Sequence, residues 1–211
     1  LYISYDYMAD QLGQSQVIPY LEGLSKHGYH FTLLSFEKKE RFKKYSLEIS
    51  ELLKKNNITW VPLFYTKKPP VLSTIWDVLC MKRKAFQLHR QKNFFLVHCR
   101  SYISSIVGLQ MKRKFGLKFI FDMRAFYADE RVDGKIWNLK NPIYKTVFNF
   151  FKKKEKQFLT EADYIITLTQ KAKGIILTWK EIPNQPIPIE VIPCCSDLEL
   201  FSSKQVDKNL F

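Results

Sequence analysis

The residues best equipped for chemistry lie in the stretch KFIFDMRAFYADE, from Lys118 to Glu130. Its first part, Lys118 to Phe121, is a short apolar run of the kind that forms a buried strand. Asp122, Arg124, Asp129 and Glu130 follow, interspersed with Met123, Phe126 and Tyr127. A buried strand opening into charges and aromatics fits a ligand site beyond the carboxyl end of an open α/β sheet. The bland alternative is a solvated loop with surface ion pairs, yet loops are where binding residues concentrate. Arg124 can bind a phosphate or a sugar hydroxyl, or simply pair with Asp122. Asp129 and Glu130 can bind hydroxyls or act as a base; acidic surface loops with no such role are about as common.

Two further groups qualify. His98 and Arg100 flank Cys99, and side-chain alternation puts both on the same side of an extended segment. A His there can serve as acid, base or hydrogen-bond donor, although a lone His at a strand end is more often structural. Gly13-Gln14-Ser15 sits between a strand and a helix, where backbone N–H groups and the positive helix end can hold a phosphate. The spacing is not G-x-G-x-x-G, and a lone Gly is more often a turn.

Positioning these groups requires a sheet. Apolar runs at Leu1 to Asp6, His30 to Phe36, Ile58 to Leu63, Phe94 to His98, Leu117 to Phe121, Asp163 to Leu168 and Ile189 to Ile192 predict seven strands. Helical segments separate them. The first runs from about Ser15, its N-cap, to Lys26, with Pro19 near its start and Gly28 ending it. Helices are also expected over Glu37 to Asn57, with Phe42, Leu47, Ile49 and Leu52-Leu53 inward, and over Leu72 to Gln91, with Ile75, Leu79, Phe86 and Leu88 inward. Tyr102 to Phe115 closes at Gly116. Asn141-Pro142 starts another helix, with Ile143, Val147, Phe151 and Phe158 along one stripe and Lys145, Lys152, Lys153 and Lys156 largely opposite. Gln170 to about Trp179 is the last, before a proline-rich loop from Pro183 to Pro188. This alternation predicts an α/β fold: a Rossmann-like parallel sheet of about seven strands with helices on both faces. Residues 1–195 form that domain, and 196–211 read as a linker. Parallel strands share one rim, where Tyr5, Asp6, His98, Arg100, Asp122, Arg124, Thr167, Thr169 and Cys194-Cys195 are expected to collect.

Composition sets the outer bounds. With 211 residues and 46% hydrophobic content the chain is globular, not a disordered tail. No window suits a bilayer span, and no signal peptide is recognisable. The chain lacks an initiator Met and begins inside a strand, so it reads as a trimmed or processed piece. The cysteines (Cys80, Cys99, Cys194, Cys195) show no C-x-x-C spacing and the histidines are scattered, so free thiols and no metal site are expected. The net charge of +14 comes in bursts such as Lys82-Arg83-Lys84, Lys112-Arg113-Lys114 and Lys152-Lys153-Lys154. Such a field attracts nucleic acid, an anionic membrane face or a phosphorylated substrate, or is only a soluble surface.

The segments ISYDYMADQLGQSQVIPYLEGLSKHGYHFTLLSFEK, VHCRSYISSIVGLQMKRKFGLKFIFDMRAFYADERVDGKIWN, EADYIITLTQKAKGII and VIPCCSDLELF together resemble the N-terminal half of family 4 glycosyltransferases. The last is similar to that family's I-P-N-G-V-D-x-x-x-F strand, with Cys194-Cys195-Ser196 in place of Asn-Gly-Val. His98-Cys99-Arg100 resembles a strand end that is often His-x-His, and Arg124 stands where many members carry a His.

The resemblance implies a GT-B enzyme of two Rossmann-like domains, retaining stereochemistry and no obligatory metal. The donor is a nucleotide-sugar and the acceptor a glycan or a lipid-linked intermediate. The N-terminal domain mainly holds the acceptor; the donor domain, with its E-x-x-x-x-x-x-x-E glutamates, is missing here, so this piece alone is expected to be inactive. His98, Arg124 and Asp122 are then the catalytic candidates. Gly13, Gln14, Ser15, Arg100, Phe126, Asp129 and Glu130 are the substrate-binding ones. The implied location is cytoplasmic, peripheral on the inner membrane face, with Phe148, Phe150 and Phe151 and the following lysines resting on anionic lipid. A non-catalytic binding module on the same scaffold is the alternative; a nucleic-acid binder lacks any supporting motif.

Overall fold

In the computed structural model, which describes residues 1–180, 182 and 187–195, the apolar runs become seven strands that all pair in parallel. They are β1 (Tyr2–Ser4), β2 (Thr32–Glu37), β3 (Thr59–Phe64), β4 (Leu96–Arg100), β5 (Lys118–Met123), β6 (Tyr164–Thr167) and β7 (Ile189–Val191). Their order across the sheet is β3-β2-β1-β4-β5-β6-β7. The chain therefore winds outward from β1 in one direction, then restarts on the other side at β4. That reversal opens a crevice beyond the carboxyl ends of β1 and β4.

Helices cover both faces, each with its own core. On one face α1 (Gln11–Gln16), α2 (Ile18–Ser25) and α3 (Lys39–Lys55) bury Val17, Ile18, Leu21, Ile49 and Leu53 against Tyr2 and Leu33. On the other, α4 (Leu72–Lys92), α5 (Ser101–Phe115) and α7 (Pro142–Glu161) bury Met81, Val107 and Phe158 against Cys99, Phe119 and Phe121. Strand alternation sorts the side chains. Cys99, Phe119 and Phe121 point to the α5 face, so His98, Arg100 and Asp122 point to the α1 face.

Two glycines permit the close approaches. A Cβ on Gly108 of α5 would overlap Cys99 Sγ and come within 2.8 Å of the Phe119 ring. A Cβ on Gly13 would strike the backbone at the Tyr7 carbonyl and lie 2.5 Å from Met8 Cα. Glu37 fixes the same loop from the far side. Its buried carboxylate accepts from Met8 N at 2.9 Å, Ala9 N at 3.1 Å and Ser35 Oγ at 2.8 Å. Burial raises its pKa, offset in part by those three hydrogen bonds.

Several expectations need correction. The first helix is two helices broken at Val17, because Pro19 has no N–H and its ring excludes a continuous ladder. Ser15 is no N-cap; its hydroxyl donates to the Gln11 carbonyl at 2.7 Å. Glu37 ends β2 instead of starting a helix. The loop after β5 contains a short helix, α6 (Tyr127–Asp133). On α4 the inward face is Ser73, Asp77, Met81, Ala85 and Leu88, and Ile75 and Leu79 are exposed. On α3, Leu47 and Leu52 are exposed while Ile49 and Leu53 are buried.

On α7 the Asn141 cap holds, its Oδ1 accepting from Ile143 N at 2.9 Å. Ile143 itself is exposed, and Lys152 turns inward. It reaches Asp129 at 2.8 Å and the buried Glu155 at 2.5 Å, and Glu155 accepts from Tyr102 Oη. An inward lysine is tolerated because two carboxylates meet it. The last helix, α8 (Gln170–Leu177), is capped by Thr169. Most of the proline-rich loop, and the linker and tail expected from 196 onward, lie outside the described residues.

The packing at α5 gives a direct test. Gly108→Ala should destabilise the protein by about 1–3 kcal/mol through overpacking, read as a lower denaturant midpoint at unchanged slope. Gly23→Ala, with open space around the added methyl, should be neutral or stabilising by up to about 1 kcal/mol.

Candidate functional site

Parallel register places Ser4, Arg100 and Asp122 in one row across β1, β4 and β5. His98, two residues before Arg100, lies on the same face. The result is a cluster around one carboxylate. Asp122 has His98 Nε2 at 3.5 Å, Arg124 Nη1 at 3.4 Å and Arg100 Nη1 at 3.8 Å. Arg100 also binds Asp6 at 2.8 Å, across the crevice between β1 and β4. His98 packs its ring on Tyr2 at 4.5 Å, and its Nε2 has no hydrogen bond of good geometry.

The four groups are graded by depth. Arg100 and Asp122 side chains are 3% and 6% exposed, whereas Arg124 and His98 retain 13% and 17%. Burial alone would raise the Asp122 pKa; His98, then Arg124 and Arg100, outweigh it and hold the carboxyl below the ordinary aspartate value. Asp122 is thus an ionised anchor beneath the rim. Arg124 and His98 are the members that reach its surface. Arg124 Nε is buried without a hydrogen bond.

Gln16 and Tyr20, which sequence reasoning did not single out, complete the cluster together with Cys194 and Cys195, which it expected on the rim. Gln16 Oε1 accepts from Arg100 Nη2 and from Arg124 Nη2, each at 3.2 Å. Cys194 Sγ lies 3.1 Å from Arg124 Nη2 and 3.5 Å from Gln16 Oε1. Tyr20 Oη donates to the Pro193 carbonyl at 3.0 Å and accepts from Cys195 N at 3.4 Å. The only sequence signal for Gln16 was its place on the helix after β1, a turn before the proline.

Other candidates fall elsewhere. The phosphate cradle at Gly13-Gln14-Ser15 is not formed as expected. Gly13 is buried under the Tyr7 carbonyl, Gln14 N donates to the Asp10 carbonyl at 3.1 Å, and Ser15 is inside the helix. Asp129 is committed to Lys152, and Phe126 packs on Trp179 at 6.0 Å. Glu130 lines a groove beside the rim.

That groove, of about 1020 Å³, lies between α4, α5 and the α6–α7 segment. Tyr5, Asp6, Ser101 and Arg124 line it where it meets the rim, and Val78, Ile103, Ile106 and Val147 line it elsewhere. Ser101 adopts φ +66° at the start of α5, a conformation costly for a non-glycine residue and concentrated at functional sites. Among the described residues, no three or more His, Cys, Asp or Glu side chains group to hold a metal ion.

A family model for Glycosyltransferase Family 4 matches residues 15–200. No curated protein matches the sequence. In fold the chain is similar to a sucrose-phosphate synthase from Thermosynechococcus elongatus, with TM-score 0.65 at 15% identity. It is also similar to Arabidopsis thaliana UGT89C1 complexed with UDP-L-rhamnose, with TM-score 0.54 at 13% identity. The matches cover 94% and 90% of this chain but 48% and 50% of those proteins, so the chain spans about half their length.

Removing the anchor should be costly. Asp122→Ala leaves Arg124 without its carboxylate and Arg100 with Asp6 alone, and should destabilise by about 3–5 kcal/mol. Because the folded pKa of Asp122 is depressed, its stabilisation is complete above the ordinary range near pH ~4 and is lost as pH falls through the lower folded value. Acid titration of unfolding should show this limb in the parent and not in Asp122→Asn.

Proposed function

The chain belongs to glycosyltransferase family 4, and from that premise we propose that it is the acceptor-side half of a retaining transferase. The substrates are a nucleotide-sugar and a glycan or lipid-linked acceptor. The observation that carries this reading is the groove that opens directly off the charged rim at the β1/β4 reversal. Ligand sites in open α/β sheets lie at such reversals, and the groove is large and mostly apolar, with polar groups at the rim and also along its walls at Thr74, Tyr127, Tyr144 and Thr146.

In the proposed reaction the bond between the anomeric carbon and the donor phosphate oxygen breaks, and the nucleotide leaves with the electron pair. The acceptor hydroxyl bonds to that carbon on the same face and passes its proton to the departing phosphate oxygen. Arg124 and His98, the two rim groups with access, would meet the sugar there. Asp122, Arg100 and Gln16 would hold Arg124 in place, so they are positioning residues. A second, donor-binding domain would complete the cleft, and this chain alone would transfer nothing. No metal is assigned a part.

The expected setting is the cytoplasmic face of an anionic membrane. The aromatic run on α7 supports it less than expected, since Phe151 is buried and Lys152 is paired inward. Support comes instead from α4. Leu72, Ile75, Trp76 and Leu79 are exposed there, ahead of Lys82-Arg83-Lys84 on the same helix. No helix among the described residues is long and apolar enough to cross a membrane.

The test is sugar transfer by the full-length protein across a panel of nucleotide-sugars and acceptors. Arg124→Ala should lower kcat/KM by about 10²-fold or more, as loss of a donor to developing charge does. An undiminished rate in that variant, or no transfer with any donor, would remove this reading.

A further inference from the structure

We infer that a cavity at the starting edge of the sheet is a second ligand site, one that holds a phosphate group. It stands apart from the transferase reading and uses none of the rim residues. The cavity, of about 870 Å³, spans the first residues of β2 and β3 and the ends of α3 and α4. Asp122 is three strands across from Thr32 and three residues further along. At the spacings of a parallel sheet that separates them by about 17 Å.

What marks the cavity is a surplus of donors. Lys54 and Lys92 line it. Among the described residues no carboxylate lines it, and neither lysine is in a salt bridge. By contrast Arg100, Arg124, Lys112, Lys118 and Lys152 each meet an aspartate. Lys92 is fixed by hydroxyls instead. Register sets Thr32 beside Thr59, and Lys92 Nζ donates to their Oγ1 atoms at 3.2 and 3.0 Å. An ammonium has a third N–H to give, and each threonine that accepts keeps its own O–H to donate. Ser50 and Asn57 on one side and Asn93 on the other add hydroxyl and amide groups. A phosphate, rich in acceptor oxygens, suits that set.

The ordinary role for lysines here is to face the carboxyl ends of α3 and α4. Those ends carry about half a negative charge each and by themselves disfavour an anion. Two full ammonium charges exceed that sum. Lys92, moreover, bonds threonines of the strands and not carbonyls of its own helix. Helix capping alone does not call for that position. At about 870 Å³ the cavity is also in the size range of small-molecule sites. Trp60 and Phe94 offer apolar wall to the body of a small phosphate monoester. Inorganic phosphate and such a monoester are the two sources of the group.

The experiment titrates the protein with inorganic phosphate, glycerol 3-phosphate and glycerol at constant ionic strength, followed by calorimetry and by tryptophan fluorescence, since Trp60 lines the cavity. Both phosphates should bind saturably and glycerol should not. Tighter binding of glycerol 3-phosphate assigns the site to a monoester; equal affinity assigns it to the free ion. Lys54→Gln and Lys92→Gln, at exposed positions that folding tolerates, should each weaken both phosphates by about tenfold. Lys153→Gln, exposed on α7 and outside the cavity, should leave binding unchanged. A response that never saturates, or equal weakening by Lys153→Gln, would mark general surface charge and overturn the inference. So would glycerol binding as tightly as its phosphate. Weakening by Arg124→Ala in place of Lys92→Gln would move the phosphate to the rim and overturn it as well.

Discussion

A carboxylate that must stay charged while almost sealed from water sets the terms for this domain. Asp122 lies near the end of a central strand, and burial works against its ionisation. Three cationic or imidazole groups have to stand beside it, from β4 and from the turn after β5. Parallel register makes that possible, because Arg100 and Asp122 are direct neighbours across the sheet. The requirement fixes the end of β5, the path of the chain at Arg124 and the place of Gln16.

From that anchor the constraints spread to both faces. Arg100 reaches over to Asp6 and so ties β4 to the loop after β1. The same loop is held from the other side by Glu37, through two backbone N–H groups that would otherwise be buried without partners. It is pressed against α1 where Gly13 has no side chain. The crevice at the topological reversal is therefore rigidly framed. The groove beyond it is framed in turn by α5 and by the Tyr102–Glu155–Lys152–Asp129 network that joins α5, α7 and α6.

Much of the fold was legible in the sequence because buried parallel strands are uninterrupted apolar runs. The rim was legible for a related reason. Alternation put His98 with Arg100, and the change of character at Asp122 marked a strand end. What escaped has physical causes too. A strand that tolerates Arg100 and Asp122 does so only through pairing with distant residues, which no local pattern shows. The inward face of α4 was misread because its largest apolar side chains, Ile75 and Leu79, face outward, while small or polar residues such as Ser73 and Asp77 pack inward. Asp77 is accepted there because Tyr5 Oη and Thr66 N donate to it at 2.7 and 3.1 Å. Gln16 was missed because an amide carries no charge and no motif. The phosphate cradle was over-read: a glycine after the first strand served packing instead.

The exit from the sheet carries a mechanical consequence. Beyond β7 the backbone is latched to α2 by Tyr20, which grips Pro193 and Cys195. One residue between them, Cys194, leans on Arg124 and Gln16. The departing segment and the most accessible cation of the rim therefore share a fulcrum. The contacts that hold the end of the sheet's last strand in place are therefore also contacts of that guanidinium, with Tyr20 fixing the backbone on either side of Cys194.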